Sequence, residues 1–78
     1  MADVLLFAQA REAAGTSSTV ASGATVGAVV AELCERFGPG FAEVAAVSRV
    51  WRNGEPALDT TAVGDTDEIA VLPPVSGG

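Results

Sequence analysis

The stretch TVGAVVAELCERFGPG, residues 25–40, decides the fold that this sequence predicts. Its apolar side chains recur at helical spacing, and its charged side chains lie off that stripe. Thr25 is a typical N-cap residue, and Gly38 followed by Pro39 is a typical helix end. We therefore predict an amphipathic helix over 26–37, whose apolar stripe must be buried against another element. The stripe consists of Val26, Val29, Val30, Leu33, Cys34 and Phe37.

Short apolar or alternating stretches on both sides of this helix predict strands. The sequence Asn53-Gly54 is a strong hairpin signal between two of them. One main helix packed across a sheet of about four or five strands is an α+β fold. The predicted strands are 4–8, 16–21, 47–52, 55–58 and 67–72, with a helical turn over 9–14 that ends at Gly15.

Two of these strands raise a question about the second face of the sheet. Residues 4–8 and 69–72 carry apolar side chains on both faces, whereas one helix covers only one face. One explanation is that the irregular stretch 39–46 folds over part of the other face. Its residues 41–46 are ambiguous and compatible with a loose helical turn. The alternative is an exposed apolar patch, rimmed by acidic residues, that binds a protein.

The composition excludes several classes of function. Ten acidic and four basic residues give a net charge of −6, which argues against a nucleic-acid partner and favours basic protein surfaces. The chain has no histidine and one cysteine, so it has neither a disulfide framework nor a zinc cluster. It shows neither a signal peptide nor a membrane span, so we expect a soluble, cytoplasmic protein with no membrane partner.

The residues that could carry chemistry inside the domain favour structural interpretations. Cys34 lies on the apolar stripe without a histidine to activate it, which favours a packing role over a nucleophile. Asp65, Asp67 and Glu68 are interpreted as a solvated turn rather than a metal site. No metal site is therefore predicted.

The chain ends in LPPVSGG, residues 72–78. The two prolines favour an extended path, so that the tail spans roughly 20 Å from the sheet. Glycines at its end can pass a channel too narrow for side chains. We predict a domain over 1–72 and an extended, flexible tail over 73–78, although a glycine-rich end without a function is the alternative.

The reactive group of such a tail is the α-carboxylate of Gly78. A carboxylate is a poor electrophile, because its charge repels nucleophiles and oxide is a poor leaving group. A partner enzyme must first activate it, for example as an acyl-adenylate made with ATP.

Two stretches, VLLFAQAREAAGT at 4–16 and GDTDEIAVLPPVSGG at 64–78, together resemble the MoaD branch of the MoaD/ThiS family of ubiquitin-like sulfur carriers. Residues 17–60 match in pattern more than in residues. Ser76 stands where this branch often has threonine, a change that keeps the hydroxyl group. The matching residues are Phe7-Ala8-Gln9, Arg11-Glu12, Gly15, Asp67-Glu68 and Pro73-Pro74-Val75.

The resemblance implies a β-grasp fold, in which the first and last strands are parallel neighbours in the middle of a mixed sheet. It also implies a sulfur carrier subunit of molybdopterin synthase, which is not catalytic alone and binds no cofactor itself. A MoeB-like adenylyltransferase would adenylate Gly78 with ATP and magnesium, and a sulfurtransferase would supply the sulfur for a thiocarboxylate.

The resemblance further implies that the tail enters a MoaE-like large subunit, within a two-plus-two heterotetramer. There the thiocarboxylate would donate sulfur to cyclic pyranopterin monophosphate, in the synthesis of the molybdenum cofactor. The implied partner-binding residues are Phe7, Arg11, Leu72, Pro73, Pro74, Val75, Ser76 and Gly77.

Two rival interpretations use the same ending. A carrier for thiazole, cysteine or tRNA thiolation would have the same tail and different acceptors. A ubiquitin-like modifier would instead join Gly78 to a lysine of another protein, and a binding module would not use Gly78 at all. Conjugation predicts a ladder of heavier species in cell lysate, whereas sulfur carriage does not.

Overall fold

The computed structural model describes residues 1–74; Val75, Ser76, Gly77 and Gly78, with the roles predicted for them, lie outside the described residues. Residues 1–74 form three helices and five strands. The helices are α1 (Ala8–Ala14), α2 (Val26–Phe37) and α3 (Pro39–Ala46). The strands are β1 (Ala2–Leu6), β2 (Ser18–Ala21), β3 (Arg49–Arg52), β4 (Glu55–Pro56) and β5 (Glu68–Leu72). None of the helices described has the length and apolarity needed to cross a lipid bilayer.

Helix α2 confirms the prediction made from its sequence. The Thr25 side chain accepts a hydrogen bond from the backbone N–H of Ala28 at 3.2 Å, as an N-cap residue does. Val26, Val29 and Leu33 on its apolar stripe are fully buried. Since burying such a side chain contributes about 1.5–3 kcal/mol, this stripe attaches the helix to the sheet.

Helix α3 is longer and more regular than the predicted loose turn. Pro39 ends α2 and then occupies the first turn of the new helix, where the N–H that proline lacks would have no helical partner. Phe41 is fully buried, and its ring lies 5.3 Å from that of Phe37. The FGPG sequence therefore joins two helices that share one core.

The strands form a mixed sheet in the order β2-β1-β5-β3-β4. Strand β1 pairs with β5 in parallel, and the other pairs are antiparallel. The first and last strands are thus central neighbours, as the resemblance implies, and this topology is that of the β-grasp fold. At the β3–β4 hairpin, Asn53 and Gly54 have φ values of 52° and 82°, as a type I′ turn requires.

The register divides the sheet into two faces. Val4 pairs with Ile69 and Leu6 with Val71, and all four side chains point into the core and are fully buried or nearly so. The intervening residues point to the opposite side, which we call the outer face. Its central row runs across the sheet as Ser18, Leu5, Ala70, Trp51 and Pro56.

The first explanation for the second apolar face is wrong. Helix α3 packs against α1 and α2, and Phe41 belongs to the same core cluster as Leu6 and Val71. All three helices formed by residues 1–74 therefore lie on the core face of the sheet. The outer face keeps half-buried apolar side chains at Leu5, Trp51 and Ala70. Protein binding by this face, the alternative explanation, stays a prediction.

Candidate functional site

Strand β5 is the last strand, and the chain leaves the sheet at its end. Leu72 is half-buried, Pro73 is buried and Pro74 is exposed, so the folded part extends one residue beyond the last strand. Because Leu6 pairs with Val71 in parallel, Phe7 and Leu72 leave the sheet side by side at the same end. The structure thus places Phe7 beside Leu72, Pro73 and Pro74, which we call the root of the tail.

Phe7 lies where the chain turns sharply from β1 into α1. Its carbonyl accepts hydrogen bonds from the N–H groups of Ala10 and Arg11 at 3.0 and 3.3 Å, so it begins the helix. Ala8 follows with a φ of 49°, an uncommon value for a residue with a Cβ. This turn leaves 42% of Phe7 exposed, and Arg11 is exposed on the same short helix.

Two grooves flank Pro73 and Pro74. The α3 groove has a volume of about 200 Å³ and is lined, besides the prolines, by Gln9, Glu43, Val44 and Val47. The β3 groove has a volume of about 330 Å³ and is lined, besides the prolines, by Val47, Arg49, Trp51 and Leu72. A protein that binds the tail would therefore contact apolar surface on both sides of Pro73 and Pro74.

Val47, Arg49 and Trp51 are residues of this site that the sequence did not reveal. Val47 is 65% exposed and lines both grooves. The alternation in residues 47–52 predicts a half-exposed strand, but it does not say which strand lies beside it. The register supplies that information, since Arg49 pairs with Leu72 and Trp51 with Ala70.

The outer face has charges of opposite sign at its two ends. Asp3 and Glu68 are neighbours at the end where β1 and β5 begin. Arg49 lies beside Leu72 at the end where the tail leaves. Between them lie the apolar side chains of the central row. A complementary partner surface would be apolar at its centre, basic opposite Asp3 and Glu68, and acidic opposite Arg49.

The predicted acidic turn has a structural role. Asp67 accepts hydrogen bonds from the Gly64 N–H at 2.8 Å and from the Asn53 side chain at 2.9 Å. The hydrogen bond from Gly64, then that from Asn53 and the nearby charge of Arg52, hold the pKa of Asp67 below its ordinary value. Asp65 pairs with the N-terminal ammonium of Met1 at 2.9 Å. Residues 1–74 contain no cluster of His, Cys, Asp or Glu that could hold a metal ion.

Cys34 takes part in packing. It is half-buried and lies against the core cluster, in a groove that α2 shares with α3 and β3. Desolvation by its surroundings raises the pKa of the thiol, which keeps it in the unreactive protonated form. This agrees with the packing role predicted for it.

Comparison with known proteins identifies a family and a shared fold. The model of the ThiS family matches residues 4–78. The molybdopterin synthase sulfur carrier subunit of Arabidopsis thaliana is 38% identical over 78 residues, which cover 96% of this chain and 80% of that protein.

Solved structures of similar proteins share the architecture. Small archaeal modifier protein 1 from Methanosarcina acetivorans has a TM-score of 0.85 and 33% identity, and the match covers 99% of this chain and 95% of that chain. A chain in the Amycolatopsis orientalis BexX/CysO complex has a TM-score of 0.83 and 25% identity over the full length of both chains.

Proposed function

The chain belongs to the ThiS family, and from this premise we propose that it is the sulfur carrier subunit of a molybdopterin synthase. The observation that carries the proposal is the 38% identity to the Arabidopsis thaliana subunit of that name, over 96% of this chain. The PPVSGG ending and the FAQAREAAG start favour this function over other sulfur carriers. We propose the cytoplasm as its compartment, since a single half-buried thiol suits a reducing environment.

In the proposed reaction sequence, an activating enzyme first adenylates the carboxylate of Gly78 with ATP. The adenylate replaces a poor leaving group, oxide, by a good one, AMP. A sulfur donor then converts the activated carbonyl to a thiocarboxylate, in which a soft, nucleophilic sulfur replaces one oxygen. The large subunit binds the tail and its substrate, and the carrier delivers the sulfur without catalytic side chains of its own.

The arrangement at the root of the tail suits this task. Val47 exposes apolar area beside the two prolines, and Phe7 does so beside Leu72. A partner can therefore bury the root and bring the tail into its own active site. Apolar contact gives affinity, whereas Arg49 and the acidic end of the outer face set orientation. We propose that Phe7, Leu72, Pro73 and Pro74 contact the partner on this surface. Arg11, which is exposed on α1, would add a polar contact.

The proposal is tested by the intact mass of the chain after incubation with an adenylyltransferase, ATP and a sulfur source. The expected product has one oxygen replaced by sulfur. Because oxidation of Met1 or Cys34 adds nearly the same mass, the product is alkylated and fragmented to locate the sulfur. A label confined to Cys34 would contradict the proposal, as would labelling of a chain that lacks Gly78.

Transfer is tested separately, with the thiocarboxylated chain, the large subunit and cyclic pyranopterin monophosphate. Formation of molybdopterin supports the assigned acceptor. A loaded chain that transfers no sulfur to this substrate, but does so in thiazole, cysteine or tRNA thiolation, identifies one of the other carriers.

A second candidate function is protein modification. It is favoured by the likeness to small archaeal modifier protein 1, at 33% identity and a TM-score of 0.85. A modifier would form an amide between Gly78 and a lysine of another protein. Chains isolated from the source cells with Gly78 in such amides would favour this candidate, whereas free thiocarboxylated chains favour the carrier.

A further inference from the structure

All four basic side chains of this chain are arginines: Arg11, Arg36, Arg49 and Arg52. None of its 78 residues is a lysine, so no side chain carries a primary amine. The difference between arginine and lysine matters for a protein whose own C-terminal carboxylate is to be activated. A lysine amine attacks an activated carbonyl once it is deprotonated, whereas a guanidinium stays protonated and does not.

Arg49 is the basic residue placed beside the tail. It pairs with Leu72 in the sheet and lines the β3 groove together with Pro73 and Pro74. The four residues after Pro74 span at most about 14 Å when fully extended, so the tip of the tail can return to the vicinity of position 49. A nucleophile at this position would lie within reach of Gly78.

The remaining primary amine, that of Met1, lies at the opposite end of the sheet. Asp3 pairs with Glu68 in parallel, so Met1 lies beside position 66. From position 66 to Pro73 the chain advances by seven residues, or roughly 23 Å at about 3.3 Å per residue. Residues 74–78 span at most about 18 Å. The activated end therefore cannot reach the amine of its own chain, which in addition pairs with Asp65 at 2.9 Å.

The thiol of Cys34 is the other strong nucleophile. It lies between α2 and α3, half-buried against the core, and desolvation raises its pKa. Partial burial restricts access to the thiol, and the raised pKa keeps the thiolate concentration low at neutral pH.

We propose that Arg49 supplies positive charge beside the tail in a form that the activated C-terminus cannot acylate, so that the carrier is inert toward itself. This rests on the proposed function, because it presupposes activation at Gly78. In the reaction that is avoided, an amine nitrogen bonds to the Gly78 carbonyl carbon, the bond from that carbon to its leaving group breaks, and the amine proton passes to solvent. The acyl group is then preserved for a nucleophile brought by another molecule.

The test uses the full chain with a C-terminal glycyl thioester, prepared chemically so that no activating enzyme is required. The variant Arg49→Lys keeps the charge and introduces an amine beside the tail. The matched control is Arg36→Lys, since Arg36 contacts Thr19 and Val20 on the edge strand β2. Val20 is level with Asp3, near the end of the sheet remote from the tail.

Each chain is incubated at about 10 µM and mildly alkaline pH, and the masses are followed with time. A tethered amine has an effective concentration of order millimolar, so Arg49→Lys should form its internal amide about 100-fold faster than Arg36→Lys couples between molecules. The internal amide is one water lighter than the hydrolysed chain, and fragmentation locates it at position 49. The parent chain should only hydrolyse.

Amide formation by the parent chain at Met1, at a rate comparable to that of Arg49→Lys, would overturn the proposal. So would an Arg49→Lys chain that only hydrolyses while added free lysine is acylated. Neither outcome concerns sulfur loading, which the adenylyltransferase assay measures independently. The two proposals can therefore fail separately.

Discussion

Asp67 shows how a single side chain can fix the start of a strand. Its carboxylate accepts hydrogen bonds from Gly64 and Asn53, while the Asn53 side chain accepts one from the N–H of Glu68 at 2.8 Å. These contacts join the loop before β5 to the β3–β4 turn. Asp67, which is part of the family resemblance, therefore has a local structural role, whereas Glu68 contributes only its backbone N–H.

The lowered pKa of Asp67 predicts a pH dependence of stability. The folded state favours the carboxylate, so its stabilising contribution is fully present above the unfolded value of about 3.9 and is lost as the pH falls through the lower folded value. Asp67→Asn should thus lower the free energy of unfolding at pH 7, with a difference from the parent that shrinks toward pH 2.

Urea unfolding of both chains from pH 2 to pH 7 measures this difference. Asp65→Asn serves as the control, because Asp65 is exposed and contacts only the N-terminus among the hydrogen bonds of residues 1–74. A difference between Asp67→Asn and the parent that is constant over this range would contradict the assignment.

Gly23 lies too close to α2 for a larger residue. A Cβ on Gly23 would lie 2.6 Å from the backbone nitrogen of Val29, whereas one on Gly40 would meet no atom within 4 Å. We expect Gly23→Ala to destabilise the protein by roughly 1–3 kcal/mol through this overlap. Gly40→Ala, inside α3, should be neutral or stabilising by up to about 1 kcal/mol. Thermal unfolding of the two variants gives the comparison.

At the scale of the element, α3 is the part of the fold that the sequence described least well. Its eight residues begin with Pro39 and Gly40, and its first turn has no charged residue. The helix propensity of this segment is therefore weak. Tertiary packing decides its conformation, because Phe41 fills the core between α1, α2 and the sheet. The helix then positions Glu43, Val44 and Val47 beside the tail.

Replacing Phe41 should show that α3 is part of the core. Phe41→Ala removes a fully buried ring and should lower the free energy of unfolding by about 3–5 kcal/mol. Val47→Ala, at the exposed end of the same helix, should change it by no more than about 0.5 kcal/mol. Chemical denaturation measures both. Similar values for the two variants would mean that α3 does not contribute to the core as described.

At the scale of the whole molecule, the notable property is a sheet with helices on one face. Neighbouring residues of one strand then serve different purposes: Val4 faces the core and is fully buried, whereas Leu5 faces outward and is half-buried. The outer face and the root of the tail form one continuous surface through Trp51 and Leu72. A partner that binds the tail would contact both.

Val4 and Leu5 provide a matched test of this division. Val4→Ser should lower the free energy of unfolding by about 2–4 kcal/mol, because it leaves a cavity and buries a hydroxyl. Leu5→Ser should cost less than about 1 kcal/mol. It should nevertheless weaken binding to the large subunit several-fold, measured by calorimetry with the purified subunit. Unchanged binding by Leu5→Ser would confine the interface to the tail and its root.

The elements with local signals could be predicted from the residues alone. The helix from Thr25 to Phe37 and the Asn53-Gly54 turn could be predicted, because caps, turns and hydrophobic periodicity act over a few residues. The central position of the first and last strands came instead from the family resemblance. The resemblance also implied partner contacts at Phe7 and Leu72, which the structure places side by side where the tail begins.

The tertiary structure alone decided what depends on contacts between distant residues. It made α3 a helix on the core face, it left the outer face uncovered, and it placed Val47, Arg49 and Trp51 around the tail. The register of β3 against β5 arises from packing and hydrogen bonds between strands about twenty residues apart, and no local pattern encodes it. The chemistry proposed for Gly78 is thus a prediction from the sequence, whereas the surface around Pro73 and Pro74 became visible only in the fold.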